Sequence, residues 1–197
     1  MGIRVRVGRR AFLSAGASAL ALSGCLGHWP EPVRHKTSTP RAEVSRFVDT
    51  HVHFYDPARE GGVPWPSEKD ELLYRTILPR DFLQMAKPHG VHEAIVVETS
   101  PLVEDNQWLL DLATDNPSIL GVVGNLPVGD LEFRGNLELF SKNPLSRGIR
   151  IQAKELKNLT VAYVEDLRHL ADQGLCLDVL GGPAMLPDIV ELAETVP

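Results

Sequence analysis

The sequence predicts an α/β fold built on a parallel sheet, and three observations lead there. Short apolar runs alternate five times with longer amphipathic segments after residue 46. The runs at 119–126 and 175–180 are mostly apolar, as strands covered on both faces are. The composition is that of an ordinary globular protein, with 43% hydrophobic and 23% charged residues in 197, enough for one domain with a real core.

The first apolar run, FVDTHV at residues 47–52, reads as a strand. A loop of about 25 residues follows, rich in Pro and Gly, before a helix near residues 81–87. Residues 91–97 read as the second strand, and residues 104–115 as a helix with Trp108, Leu109, Leu112 and Ala113 on one side. Residues 119–126 form the third strand and residues 130–140 a helix with Leu131, Phe133, Leu137 and Leu139 partly in phase. A fourth strand at 146–151 precedes a helix at 161–173, and a fifth at 175–180 precedes a helix at 186–195. Five strand–helix units in this order imply right-handed crossovers with helices covering the sheet. Two architectures satisfy that pattern: a doubly wound open sheet, or five eighths of a (β/α)8 barrel, which in full needs about 250 residues.

Charge is unevenly distributed. Residues 1–46 carry eight Lys/Arg against two acids, whereas residues 47–197 carry 12 basic and 24 acidic residues. Nucleic-acid binding relies on clustered Lys/Arg, so no nucleic-acid partner is expected of the acidic domain. A divalent metal or a small neutral substrate meets less electrostatic resistance.

Residues 1–27 read as a targeting segment. Arg9 and Arg10 precede the small, apolar run 11–22, which has the length of a signal-peptide core and is too short for the ~20 residues that span a bilayer. GRRAFLS at 8–14 resembles a twin-arginine export signal, and LSGC at 22–25 resembles a lipoprotein box with Cys25 as the lipidated residue. Export and a lipid anchor on the periplasmic face of a bacterial membrane are the expected consequence. The other cysteine, Cys176, lies in an apolar run and reads as a core thiol. Residues 28–46 hold Pro30, Pro32 and Pro40 with no periodicity, and read as a flexible tether.

The chemistry is concentrated at the end of the first strand. In Asp49-Thr50-His51-Val52-His53, strand alternation places His51 and His53 on the same side. Two imidazoles two residues apart are suited to binding zinc or a similar metal.

The surrounding motifs resemble a family. FVDTHVHFYDP (47–57), GGVPWP (61–66), ILPRDF (77–82), VVETSPLVEDNQWLLDLA (96–113), GVVGNL (121–126), NPLSRGIR (143–150) and GLCLDV (174–179) are similar to the amidohydrolase-related TIM-barrel hydrolases, in the branch of L-fuconolactonase and pyrone dicarboxylate lactonase. The resemblance covers residues 47–197. It selects the barrel, represented here by about five β/α units. It implies that His51 and His53 face the reaction centre and, where a divalent metal such as zinc is bound, belong to its ligands. Pyrone dicarboxylate lactonase works without metal, so the pair alone does not require one.

Further residues follow from the resemblance. Glu98, at the end of the second strand, either completes ligation or orients water, or is a solvated acid. Arginine in the fourth strand holds a substrate carboxylate or carbonyl in related lactonases, which points to Arg150 and secondarily to Arg147, the latter also readable as structural. Asp178 lies in the fifth strand as an inward contact or a paired acid. Tyr55, Trp65 and Tyr74 on the long loop either line a sugar-like or cyclic ester substrate or anchor the loop. His28 and His35 lie in the tether, and His89, His92 and His169 have no ligand-like spacing.

The expected function is hydrolysis of a lactone or a related ester or amide by activated water. The family draws a further histidine and a last-strand carboxylate from later strands, and the sequence ends near the expected sixth strand. The site is therefore expected to be incomplete in this chain, with the open sheet edges met by a second polypeptide or by self-association. The alternative expectation is a noncatalytic remnant, or a membrane-tethered binding protein on an open α/β sheet.

Overall fold

In the computed structural model, residues 47–196 are described. The targeting segment, the lipidation expected at Cys25 and the tether lie outside them. Five parallel strands stand in the order β1-β2-β3-β4-β5, with β1 at Phe47–Val52, β2 at Val91–Val97, β3 at Ile119–Gly124, β4 at Ser146–Gln152 and β5 at Cys176–Leu180. Helices α1 (Pro79–Ala86), α2 (Glu104–Asp115), α3 (Phe133–Phe140), α4 (Val161–Asp172) and α5 (Leu186–Thr195) follow the strands in turn. Sequential order without a switch of direction is that of a barrel wall; a doubly wound sheet reverses partway. The sheet is a curled half-barrel.

The core lies between the sheet's outer face and the helices. Ala94, Val96, Val122, Ile149 and Ile151 pack there against Leu109, Leu110, Phe133, Leu137, Leu167 and Leu170, all buried. These alternate strand residues form one apolar row per strand.

The element boundaries differ from expectation where side chains capture the backbone. β3 stops at Gly124, short of Leu126, because the Asn125 N–H donates to Asn106 Oδ1 at 2.9 Å and leaves the ladder. The expected α3 start at residue 130 is displaced to Phe133 by a turn in which Gly129 has φ +85° and donates to the buried Asp166 Oδ2 at 3.0 Å. α1 begins earlier than expected, at Pro79, where the ring's missing N–H costs nothing, and the Leu78 N–H donates to Asp81 Oδ2 at 3.0 Å. Thr160 caps α4, its Oγ1 accepting from the Tyr163 N–H at 3.2 Å.

The long loop is fastened at several points. Tyr55 and Ile77 exchange backbone hydrogen bonds of 3.0 and 2.9 Å. Arg59 forms an ion pair with Asp105 at the start of α2, and its guanidinium lies 4.7 Å above the Trp108 ring. The loop is thereby held near the carboxyl ends of the strands.

Candidate functional site

Each strand delivers a residue from its carboxyl end to one cleft of about 640 Å³. His51 and His53 come from the end of β1, Glu98 and Thr99 follow β2, Asn125 follows β3, Arg150 and Gln152 close β4, and Leu180 ends β5. Trp65 brings the long loop to the cleft, and Lys154 and Glu155 come from the turn after β4. A volume of this size accommodates a small organic molecule.

Strand alternation places the two imidazoles as expected, with ring centroids 5.0 Å apart and planes nearly perpendicular. His53 Nδ1 lies 2.9 Å from the Val97 carbonyl. A carbonyl only accepts, so Nδ1 carries the proton and donates, and the lone pair of the neutral ring is on Nε2. Burial pushes the His53 imidazole below its ordinary range, the charges of Arg150 and His51 push the same way, and the Val97 bond opposes them. The edge of Trp65 closes on His53 at 5.9 Å between centroids.

Arg150 organises the other wall. Its Nε donates to Glu98 Oε1 at 2.8 Å, and its Nη2 donates to the Glu98 carbonyl at 2.6 Å. Both side chains are about nine-tenths buried, which makes this an ion pair whose halves depend on each other. Glu98 is thus neither a solvated acid nor a free carboxylate. The remaining guanidinium nitrogen, Nη1, lies 3.5 Å from His51 Nε2 at the limit of a hydrogen bond.

Arg147 is placed elsewhere. Its Nη2 donates to the Leu120 carbonyl at 3.1 Å and its side chain covers Gly121, near the amino end of β4 and outside the cleft lining. Tyr55 is buried with its ring 5.3 Å from Trp65, also outside the cleft lining, so Trp65 is the aromatic residue that faces the cleft. Tyr74 donates to Glu68 on the loop at 3.3 Å. Asp178 sits in register beside Arg150 across the β4–β5 ladder.

Thr99, Asn125, Gln152, Lys154 and Glu155 also line the cleft, and the sequence motifs assign none of them a role. Asn125 donates from Nδ2 to the Arg150 carbonyl at 3.1 Å. It is itself held by Asn106, whose Nδ2 donates to the Asn125 carbonyl at 2.7 Å. Gly124 allows this approach, since a Cβ there would lie 2.0 Å from Asn106 Oδ1. Gln152 and Glu155 form a second unit, in which the Gln152 N–H donates to Glu155 Oε1 at 2.7 Å and Tyr163 donates to Glu155 Oε2 at 3.2 Å. Their position at or just beyond the carboxyl ends of strands is the signal the sequence offers.

The chain as a whole is similar to known proteins. No family model matches the chain. Over 156 residues, 76% of this chain, it is 26% identical to the L-fucono-1,5-lactonase of Burkholderia ambifaria, of which it covers 53%. Among solved structures, it is similar to an amidohydrolase from Burkholderia multivorans with bound zinc, at a TM-score of 0.64 and 21% identity, covering 75% of this chain and 53% of that one. The chain has the fold of about half of a TIM barrel. A structure described as a probable 2-pyrone-4,6-dicarboxylic acid hydrolase from Acinetobacter baumannii, with citric acid bound, matches at a TM-score of 0.58 and 16% identity, over 75% of this chain and 54% of that one. The half-barrel therefore spans about half the length of the relatives it matches.

The described residues supply only part of a zinc shell. A catalytic zinc site takes three protein ligands and water. Here two imidazoles converge, and among the described residues no group of three His, Cys, Asp or Glu is placed to hold a metal ion. Glu98 is engaged by Arg150, and the guanidinium beside His51 Nε2 opposes a second cation. The residues present do not fit a complete metal centre.

Proposed function

We propose that residues 47–196 form the carbonyl-binding half of a hydrolase site for a lactone or related cyclic ester. The observation that carries this reading is the meeting of His51, His53 and Arg150, from two strands separated by β2 and β3, in one small-molecule cleft. The lactonase named among the relatives supports the substrate class.

In this reading the lactone carbonyl oxygen accepts from Arg150 Nη1, the guanidinium nitrogen that makes no bond to Glu98. His53, kept neutral by burial and with Nδ1 spent on Val97, offers Nε2 as a base. Water loses a proton to Nε2 as its oxygen bonds to the carbonyl carbon, and Arg150 offsets the charge gathering on the carbonyl oxygen. The ring C–O bond then breaks and the leaving oxygen takes up the proton, giving the hydroxy acid. Glu98 holds the guanidinium in place. No step passes through a metal.

The test is a panel of five- and six-membered sugar lactones, followed by imidazole NMR and by acid release. Lactone is expected to shift the His51 and His53 ring resonances, and Arg150→Lys to weaken binding roughly tenfold by losing the planar fork. Turnover that survives loss of both histidines, or resonances that no lactone moves, would overturn the reading.

From the sequence pattern alone, we also propose that residues 1–27 direct export and that Cys25 carries lipid. Labelled palmitate should enter the wild-type chain and not Cys25→Ser. Equal labelling of both would refute it.

A further inference from the structure

Trp65 stands at the cleft without being held there by its own burial. It is 41% exposed, and its ring meets His53 and Tyr55 only edge to face, at 5.9 and 5.3 Å between centroids. Among the described residues its indole N–H makes no hydrogen bond. Edge contacts of this kind are individually weak, so the backbone sets where the ring stands. That backbone is turned just before the indole by Gly61 and Gly62, whose φ values of +83° and +64° suit glycine and few other residues. The glycines supply the turn and no stiffness. Val63 and Pro64 then lead to Trp65, and the buried Pro66 fixes the chain beyond it. Proline restricts φ on either side of the indole, so a displacement at Gly62 is carried to Trp65.

Arg59 supplies the stiffness. Its Nε donates to the Gly62 carbonyl at 3.0 Å, and the Gly62 N–H donates back to the Arg59 carbonyl at 2.9 Å. Its Nη2 donates to Asp105 Oδ1 in the first turn of α2, where the helix N-terminus also favours a carboxylate. Its guanidinium carbon lies 4.7 Å from the centre of the Trp108 ring. The side chains of Arg59 and Asp105 are 16% and 11% exposed, so little water competes for the pair. Both line one small cavity together with Glu98 and Thr99, which also line the cleft. The loop is therefore braced against the wall that holds Arg150. A lysine at this position could neutralise Asp105, but one ammonium cannot also brace Gly62 and lie over Trp108.

We propose that Arg59 is a positioning residue of the cleft, which sets Trp65 beside His53 through Gly62 and so shapes the wall against which a substrate ring lies. Its consequence rests on the lactone site proposed above; its cause rests on the loop geometry alone.

The test uses the full chain with its three tryptophans, Trp29, Trp65 and Trp108, labelled at the indole nitrogen and assigned by Trp29→Phe and Trp65→Phe. Arg59→Lys keeps the counter-charge for Asp105 and loses the brace on Gly62. It is expected to shift the Trp65 indole signal while the chain keeps a cooperative melt, and Lys69→Met on the same loop is expected to leave that signal in place. A Trp65 signal unmoved by Arg59→Lys, or moved equally by Lys69→Met, overturns the proposal. Binding of a six-membered sugar lactone gives a second readout through a double-mutant cycle. Arg59→Lys and Trp65→Ala should each lose about two- to tenfold in affinity, the size of one aromatic contact, and the double variant should lose no more than Trp65→Ala alone. Additive losses would overturn the proposal, because Arg59 would then act by a route other than Trp65. A wild-type chain that binds no lactone overturns the proposed function instead, and the indole signals still decide the role of Arg59.

Discussion

β3 and β5 are similar in sequence and opposite in situation. In β3, ILGVVG, five of six residues are buried; in β5, CLDVL, none is. Both runs are apolar enough to be strands, and both are followed by a helix of the right length. The difference is neighbours. β3 has strands on both sides and helices α2 and α3 over its outer face, whereas β5 has a strand on one side and a helix layer that leaves a groove above it. Burial in a barrel wall belongs to the position of a strand among others. An apolar strand at the end of the row retains its pattern without the free energy that the pattern would release.

That contrast can be broken most severely from the central side. Phe133, fully buried beneath the sheet, should lose about 3–5 kcal/mol of stability on Phe133→Ala, measured by urea unfolding. Leu177→Ala at the edge groove should lose about 1 kcal/mol, since much of its transfer from water has not taken place. Equal losses would abolish the distinction. A comparable effect is expected in the cleft. Arg150→Met leaves Glu98 buried without its counter-charge and should cost about 3–5 kcal/mol, and adding Glu98→Gln should restore part of it. No restoration would mean that the two do not act as a pair.

A smaller effect tests the join between strand and cleft. Asn106→Ala removes the acceptor for the Asn125 N–H and the donor to its carbonyl, at a cost of about 1–3 kcal/mol. In thermal melts it should destabilise more than Asn116→Ala, whose side chain only returns to the carbonyl of Leu112 in α2. The smallest effect is at high pH. Burial raises the Tyr163 phenol above its ordinary range, and Glu155 reinforces the shift. The folded chain then holds a proton that the unfolded chain releases near pH 10, so this contribution to stability is present below that pH and is lost as pH rises further. Ultraviolet titration should show tyrosine ionisation delayed in the folded chain, and Tyr163→Phe should remove the largest part of that delay.

Much of this was legible beforehand, and what was not has a physical cause. The five units were readable because periodicities of 2 and 3.6 are local properties of the chain. The shared direction of His51 and His53 followed from strand alternation for the same reason. The Glu98–Arg150 pair was invisible, its members 52 residues apart and joined only when β2 and β4 flank β3. In the sequence Arg150 ranks above Arg147, but the partners of both were illegible: Arg147 reaches the Leu120 carbonyl and Arg150 reaches Glu98 in the cleft. The boundaries at Gly124 and Gly129 shifted because Asn106 and Asp166 capture backbone N–H groups that a local pattern assigns to strand or helix.

Element type, order and facing come from neighbours along the chain, and such interactions are present before any fold exists. The cleft, its ion pair and the unequal fates of β3 and β5 come from groups far apart in sequence. Their free energy depends on burial and on partners, and those exist only after the sheet has assembled.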